Sequence, residues 1–448
     1  MKKSSLITRT ACALALALIS LLSCTANAQE PSQTLIRNVS VWDGMAENAV
    51  ANQDVFIVGH MIKTIGSNLE VLDGTNVIDG GGRVLMPGLI DAHIHLGNPD
   101  IAAKNADPGY SAALSLVVAE RILMQGWTTV RDLGGAVVGI ARAIDEGHMK
   151  GPRIFPSSVL ISQTSGHTDF RNPMDIHPNI GGANQNELSA RFSMLADGEA
   201  EVRRAVRESL RRGATQIKLM AGGGIGSPYD PIDTVQFSEA ELRAAVEVAA
   251  DWNTYVGVHA YTDRSVNRAI SAGVKVIEHG HLLSKETLQR MKDEGVSLSG
   301  QSFATLNDIP YPEGSYQAEK AAIVMAGTDT MMEVARDIGL PVHLGADASG
   351  SMEWYDSTIY EFKFRQKWFS SVEILRQATG HNSKLLEMTG PRNPYPDGPI
   401  GVIKEGAYAD LLIIEGNPLE DSSILVDHKN TMKLIMKNGV IYKNILQD

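Results

Sequence analysis

Two histidines one residue apart, His93 and His95, stand in the run "GLIDAHIHL", where a buried strand would otherwise carry Val or Leu. Alternate residues of a strand face the same way, so both imidazoles project to one side and can share a divalent cation. Later apolar runs are interrupted in the same manner: Lys218 in "TQIKLMAGG", His259 in "VGVHAYT", His279 in "VIEHGH" and Asp347 in "VHLGADAS". A lysine inside such a run is costly as an ammonium ion unless something pairs or neutralises it. Taken singly, each is ordinarily a buried polar group with a local partner. Five strands that each carry one near the exit point to a shared site.

The donor chemistry is narrow. The only cysteines, Cys12 and Cys24, lie in the first 28 residues. That stretch reads as a secretory leader: Lys2, Lys3 and Arg9, an apolar segment from Ala11 to Leu22, then small residues. Cleavage after Ala28 fits Ala26-Asn27-Ala28, whereas "LLSC" resembles a bacterial lipobox with Cys24 lipidated. The lipobox is the favoured reading. Either way the protein is expected to be exported, as a periplasmic, secreted or envelope-anchored chain. Cut after Ala28 it has no thiol, so a metal must be held by nitrogen and oxygen, which suits zinc and also fits manganese or cobalt. A net charge of −12 argues against a nucleic-acid partner. With 43% hydrophobic and 21% charged residues and no repetitive tract, the 448-residue chain reads as ordinary globular protein.

The elements that must position these residues fall into two kinds. Short strand-like runs with Gly and Asn-Gly punctuation occur at both ends: "TLIRNVSVWDGM" and "DVFIVGHMIKTIGS" early, "GVIKEGAYADLLIIEGNP" and "MKLIMKNGVIYKN" late. They suggest one small β-sandwich domain assembled from residues 31–87 and 398–448. Between them, residues 88–397 alternate. Eight strand-like runs, the last being "PVHLGADAS", each lead into helical sequence, as an α/β chain forming a (β/α)8 TIM barrel requires. Ser238 with Glu241 forms a capping box, and "EAEVRRAVRESLRRG" ends on Gly213. An open doubly wound sheet is the alternative, but it does not explain polar residues at so many strand ends.

"PGLIDAHIHL", "IKLMAGGG", "VHAY", "IEHG" and "GADAS", in that order and spacing, resemble the metal-dependent amidohydrolase superfamily. The similarity is to its imidazolonepropionase-like branch, with prolidase-type Xaa-Pro dipeptidases and ochratoxin-hydrolysing amidases. It covers nearly the whole chain after the leader. The resemblance implies two divalent metal ions, with zinc expected. Lys218 would be carboxylated to N6-carboxylysine and bridge them. His93 and His95 would hold one metal with Asp347, and His259 and His279 the other. Asp347 would also carry the catalytic proton. The implied reaction is hydrolysis of an amide or peptide bond in a dipeptide or N-acyl amino acid with a free carboxylate. A homo-oligomer is expected. Cyclic-amide hydrolysis, ring deamination and a catalytically silent envelope binding lipoprotein are the alternatives.

Two loops resemble the family's substrate segments. "AGGGIGSPYDPID" makes Tyr229 a substrate-binding candidate, although "GGGIG" also reads as a flexible turn; no Gly-Lys-Ser/Thr follows to make it a phosphate loop. "SQTSGHTD" resembles a Gly-Gly-His-Gly loop and nominates His167, with Ser165 and Thr168 standing where glycines are expected. His281 reads as a pocket or structural residue. Trp354 and Tyr355 are candidate rim aromatics. His60, His148, His177, His343, His381 and His428 read as surface or packing residues.

Overall fold

The computed structural model describes residues 32–98, 108–182, 192–302 and 311–446. The leader with Cys12 and Cys24 lies outside them. Five strands come first: β1 (Gln33–Val41), β2 (Val50–Val58), β3 (Met61–Gly66), β4 (Asn76–Asp79) and β5 (Val84–Pro87). The middle supplies β6 (Leu89–Ile94), β7 (Trp127–Asp132), β8 (Arg153–Pro156), β9 (Leu160–Ser162) and β10 (Ser193–Leu195). It continues with β11 (Ile217–Met220), β12 (Val256–Thr262), β13 (Val276–Leu282), β14 (Ser297–Gly300) and β15 (Val342–Leu344). The chain closes with β16 (Leu411–Ile414), β17 (Met432–Lys437) and β18 (Val440–Asn444).

The two ends of the chain share one sheet. β5 runs parallel to β1 and antiparallel to β16, with Leu85 opposite Ile413. The expected sandwich is corrected here: β18-β17-β16-β5-β1-β2-β3, with β4 on β1, is a single hydrogen-bonded sheet of eight strands. It curls on itself, so that Met61 bridges Tyr408 and the Ile62 N–H donates to Ala407 O at 2.8 Å. A curled sheet can enclose Ile36, Val55, Leu85, Leu411, Ile413 and Leu434 as its own core without a second layer.

The middle is α/β with two parallel sheets, β6-β7-β8 and β10-β9-β11-β12-β13-β14-β15. The run "RIFPSSVLIS" is two strands and not one. Ser158, at φ 63°, turns the chain between β8, which stays in the smaller sheet, and β9, which joins the larger. Hydrogen bonds link the two sheets on both sides. At one side the His95 N–H donates to Ala348 O and the Asp347 N–H to His93 O, while Asn382 Nδ2 donates to both Ile90 O and Leu344 O. Here the strands approach so closely that a Cβ on Gly345 would overlap the His93 backbone. At the other side the Thr215 N–H donates to Pro156 O.

Helices cover these sheets for reasons legible in their sequence. Helix Glu239–Asp251 starts with the Ser238–Glu241 capping box, both reciprocal bonds present. Helix Gly198–Arg211 buries Val202, Ala205, Val206 and Leu210 at helical spacing, and Gly213 follows at φ 102°.

Candidate metal centre

His93 on β6 and His95 just beyond it direct both rings to one point. His93 Nε2 and His95 Nε2 lie 3.1 and 3.2 Å from the same oxygen, Oδ1 of Asp347. Asp347 Oδ2 faces His279 Nδ1 at 4.0 Å. His259 joins through its ring, 4.5 Å centroid to centroid from His279. Lys218, on β11, is 1% exposed and sits within the fields of Glu278 and Asp347. The six residues therefore come together. His93, His279 and Asp347 form the tightest trio, with donor atoms within 4.8 Å of one another. That trio crosses the expected division of ligands, because the Asp347 carboxylate stands between the two histidine groups.

Strand alternation delivers most of this set and fails at one position. Across the larger sheet, Gly257 lies beside Lys218, Glu278 beside His259, and Ser299 beside Glu278, so this row faces inward. Regular alternation would turn His279 outward. Its backbone is left-handed, φ 78°, and brings the imidazole back against His93, centroids 5.0 Å apart. Asp347 also has positive φ, 56°. Such backbone costs about 1–3 kcal/mol per residue and persists where the surroundings over-determine it.

The donor set fits divalent metal ions. Each imidazole has one ring nitrogen against an oxygen acceptor: His93 Nδ1 on Glu278 Oε2 at 3.2 Å, His95 Nδ1 on Gly134 O at 3.4 Å, His259 Nε2 on Gly223 O at 3.0 Å, His279 Nδ1 on Gln301 Oε1 at 2.8 Å. These partners assign the proton to the outer nitrogen and the lone pair to the other, the arrangement that metal-binding histidines adopt. Burial holds His259 and His279 well below the usual imidazole range, so both are neutral. Burial alone would raise the Asp347 carboxyl, but the neighbouring histidines, His93 foremost, hold it well below the carboxylate range. Burial likewise opposes ionisation of Glu278, and the Arg131 guanidinium, 2.6 Å away, overrides it.

The rim is built from loops. His167 stacks on His259 with centroids 4.3 Å apart, and its Nδ1 contacts Ser227 Oγ at 2.5 Å and Asp230 Oδ2 at 3.3 Å. Ser165 and Thr168 take φ 57° and 74°, the conformation for which glycine was expected at both positions. Bonds from Ser165 N–H to Asp169 Oδ2 and from Thr168 N–H to Ser227 Oγ hold them there. The "GGG" stretch is not a flexible turn. A Cβ on Gly224 would fall inside the His167 ring, and Gly224 N–H is fixed on Asp230 Oδ2 at 2.7 Å. Tyr229 is 42% exposed at the edge of this loop. Tyr355 is no rim aromatic: it is fully buried, its hydroxyl donating to His95 O at 2.7 Å with Asn98 O 2.9 Å away. His343 is buried against Asn382.

Three residues escaped the sequence reading. Tyr261 lies two positions beyond His259, so the alternation applied to His93 and His95 would have found it. Its ring contacts His259 and His279. Glu278 was visible only as the neighbour of a ligand candidate. Gln301 had no signal of its own, being one polar residue in "VSLSGQSF".

Parallel sheets whose strand ends gather imidazoles, a carboxylate and a buried lysine define a class, the α/β metal-site enzymes. The sequence model of the amidohydrolase family matches residues 84–443, and the chain belongs to that metal-dependent family. It is an enzyme that hydrolyses carbon–nitrogen bonds. Ochratoxinase from Aspergillus niger is 32% identical over 383 residues, 80% of this chain and 76% of that one. A prolidase solved in complex with N-methylphosphonate-L-proline superposes with a TM-score of 0.84 at 32% identity, covering 92% of this chain and 100% of the other. A Xaa-Pro dipeptidase with bound methionine gives 0.79 at 27% identity, with the same coverage.

Proposed function

We propose that the chain is a binuclear metal amidase that removes the C-terminal amino acid of dipeptides or N-acyl amino acids, with its two parallel sheets acting as one (β/α)8 barrel. The observation that carries this reading is the convergence of four imidazoles, each anchored through its outer nitrogen, on Asp347 and Lys218. His93, His95 and Asp347 would hold one ion and His259 and His279 the other. Lys218, as its carbamate, would bridge the two. Burial pushes the Lys218 ammonium down to about 8, against the pull of Glu278 and Asp347, which favours the neutral amine that reacts with carbon dioxide. When bound, a divalent pair supplies Lewis acidity and a lowered pKa for the attacking water.

The remaining work falls to the protein. The Asp347 carboxylate accepts a proton from the attacking water and returns it to the leaving nitrogen. Tyr261, whose ring packs against those of His259 and His279, donates its hydroxyl proton to the carbonyl oxygen as negative charge develops there. His167 is oriented by Ser227 and Asp230 to offer Nε2 to the substrate, and Tyr229 reaches the substrate carboxylate from the loop edge. Ile225, Leu282, Tyr311, Met325 and Trp354 cluster with Tyr261 and favour an apolar or aromatic residue. The relatives named for ochratoxin and Xaa-Pro dipeptides support the same choice. Export by the leader completes the proposal.

Metal analysis of purified protein, paired with hydrolysis of a panel of dipeptides and N-acyl amino acids, tests this reading. About two metals per chain, lost together with activity in Lys218→Ala, are expected. A fully active Lys218→Ala enzyme would sink the binuclear mechanism, and a metal-loaded protein that cleaves nothing on the panel would favour the silent binding protein.

A further inference from the structure

Residues 300–302, at the end of β14, are held by two other parts of the molecule, the end of β13 and the helical segment around Glu361 and Arg365. Arg365 Nη2 donates to Gly300 O, His281 Nε2 lies 3.0 Å from Gln301 O, and the Ser302 N–H donates to the Glu361 carboxylate. Arg365 and Glu361 are themselves a buried ion pair at 2.7 Å, and Arg365 Nη1 continues to Gln377 Oε1 at 2.8 Å. A strand end this firmly fixed sets one side chain, that of Gln301, which is 0% exposed. Its amide lies between the two histidine groups: Oε1 is 2.8 Å from His279 Nδ1, and Nε2 is 3.1 Å from Ser299 O and 3.2 Å from His93 Nδ1. Ser299 O is a backbone carbonyl and can only accept, so the amide atom 3.1 Å from it is the NH2 group. Gln301 Nε2 therefore donates to Ser299 O, and that bond fixes the amide with its oxygen toward His279.

We propose that Gln301 is the positioning residue of the second metal site: its Oε1 accepts the Nδ1 proton of His279 and so presents Nε2 of that imidazole to the ion shared with His259. This also gives His281 a task, the anchoring of Gln301 through its backbone. The inference rests on the binuclear reading. It predicts an asymmetry, because a defect at Gln301 loosens one metal and spares the ion held by His93, His95 and Asp347.

The test is zinc titration of the purified full chain in metal buffers, with cobalt substitution to read ligand geometry from the visible spectrum. Gln301→Leu, close in volume and without an acceptor, is expected to weaken the second ion by about 10–100-fold while the first binds as in wild type. Gln301→Glu, which restores a stronger acceptor, is expected to retain both ions and shift the cobalt spectrum. Two ions of wild-type affinity in Gln301→Leu overturn the proposal. Equal weakening of both ions also overturns it. If Gln301→Leu does not fold, Gln301→Glu decides alone: a tighter second ion supports the assignment, and an unchanged affinity and spectrum refute it. A wild-type chain that binds fewer than two ions overturns the binuclear reading instead, so the two failures are distinguishable.

Discussion

The centre of the site and its rim are built by different means. At the centre every imidazole leans on a carboxylate, an amide or a backbone carbonyl, and the side chains come from parallel strands whose register sets their spacing. At the rim, His167 is held by a serine, an aspartate and the flat face of Gly224, on loops in which Ser165 and Thr168 adopt left-handed backbone. The difference teaches where each property resides. Strand geometry fixes the metal chemistry, and loop conformation decides what the chemistry is applied to.

Breaking the centre is expected to cost most. Glu278→Gln leaves Arg131, 0% exposed, without its counter-charge, and chemical unfolding is expected to show a loss of about 3–5 kcal/mol. A loss below about 1 kcal/mol would mean that the centre is no more rigidly supported than the rim. Tyr261→Phe touches the boundary between the regions. It is expected to lower kcat by about 10²-fold or more with metal content unchanged, because one donor to the developing oxyanion disappears. If KM moved and kcat did not, Tyr261 would belong with the rim.

The rim itself should respond more gently. Gly224→Ala inserts a methyl into the space of the His167 ring, and overpacking of about 1–3 kcal/mol should appear as lost kcat/KM with metal content unchanged. The same change in a His167→Ala background is expected to add little, since the displaced ring is already gone. The smallest effect is assigned to Tyr229→Phe, where loss of one exposed hydrogen bond of about 1 kcal/mol raises KM about fivefold and leaves kcat alone. An unchanged KM would remove Tyr229 from the substrate site.

Much of this was legible beforehand because it depends on short-range rules. The capping box at Ser238 and the alternation of His93 with His95 follow from one or two residues of local geometry. The split of "RIFPSSVLIS" into β8 and β9 was not legible, since a serine at φ 63° carries no composition signal. Nor was the single curled sheet at the termini, which requires Ile62 to meet Ala407 across most of the chain. Gln301 and Glu278 stayed hidden for a related reason. Their chemistry depends on partners supplied by other strands, and sequence distance does not reveal which oxygen will face which imidazole.

By itself the sequence determined the donor types, the strands that carry them and the family to which they belong, because identity and alternation are local properties. Only the tertiary structure decided that Asp347 stands between the histidine groups, that His279 turns inward against the strand's own period, and that each ring has its outer nitrogen anchored. Those facts come from elements far apart in the chain packed at fixed distances, and no local rule contains them.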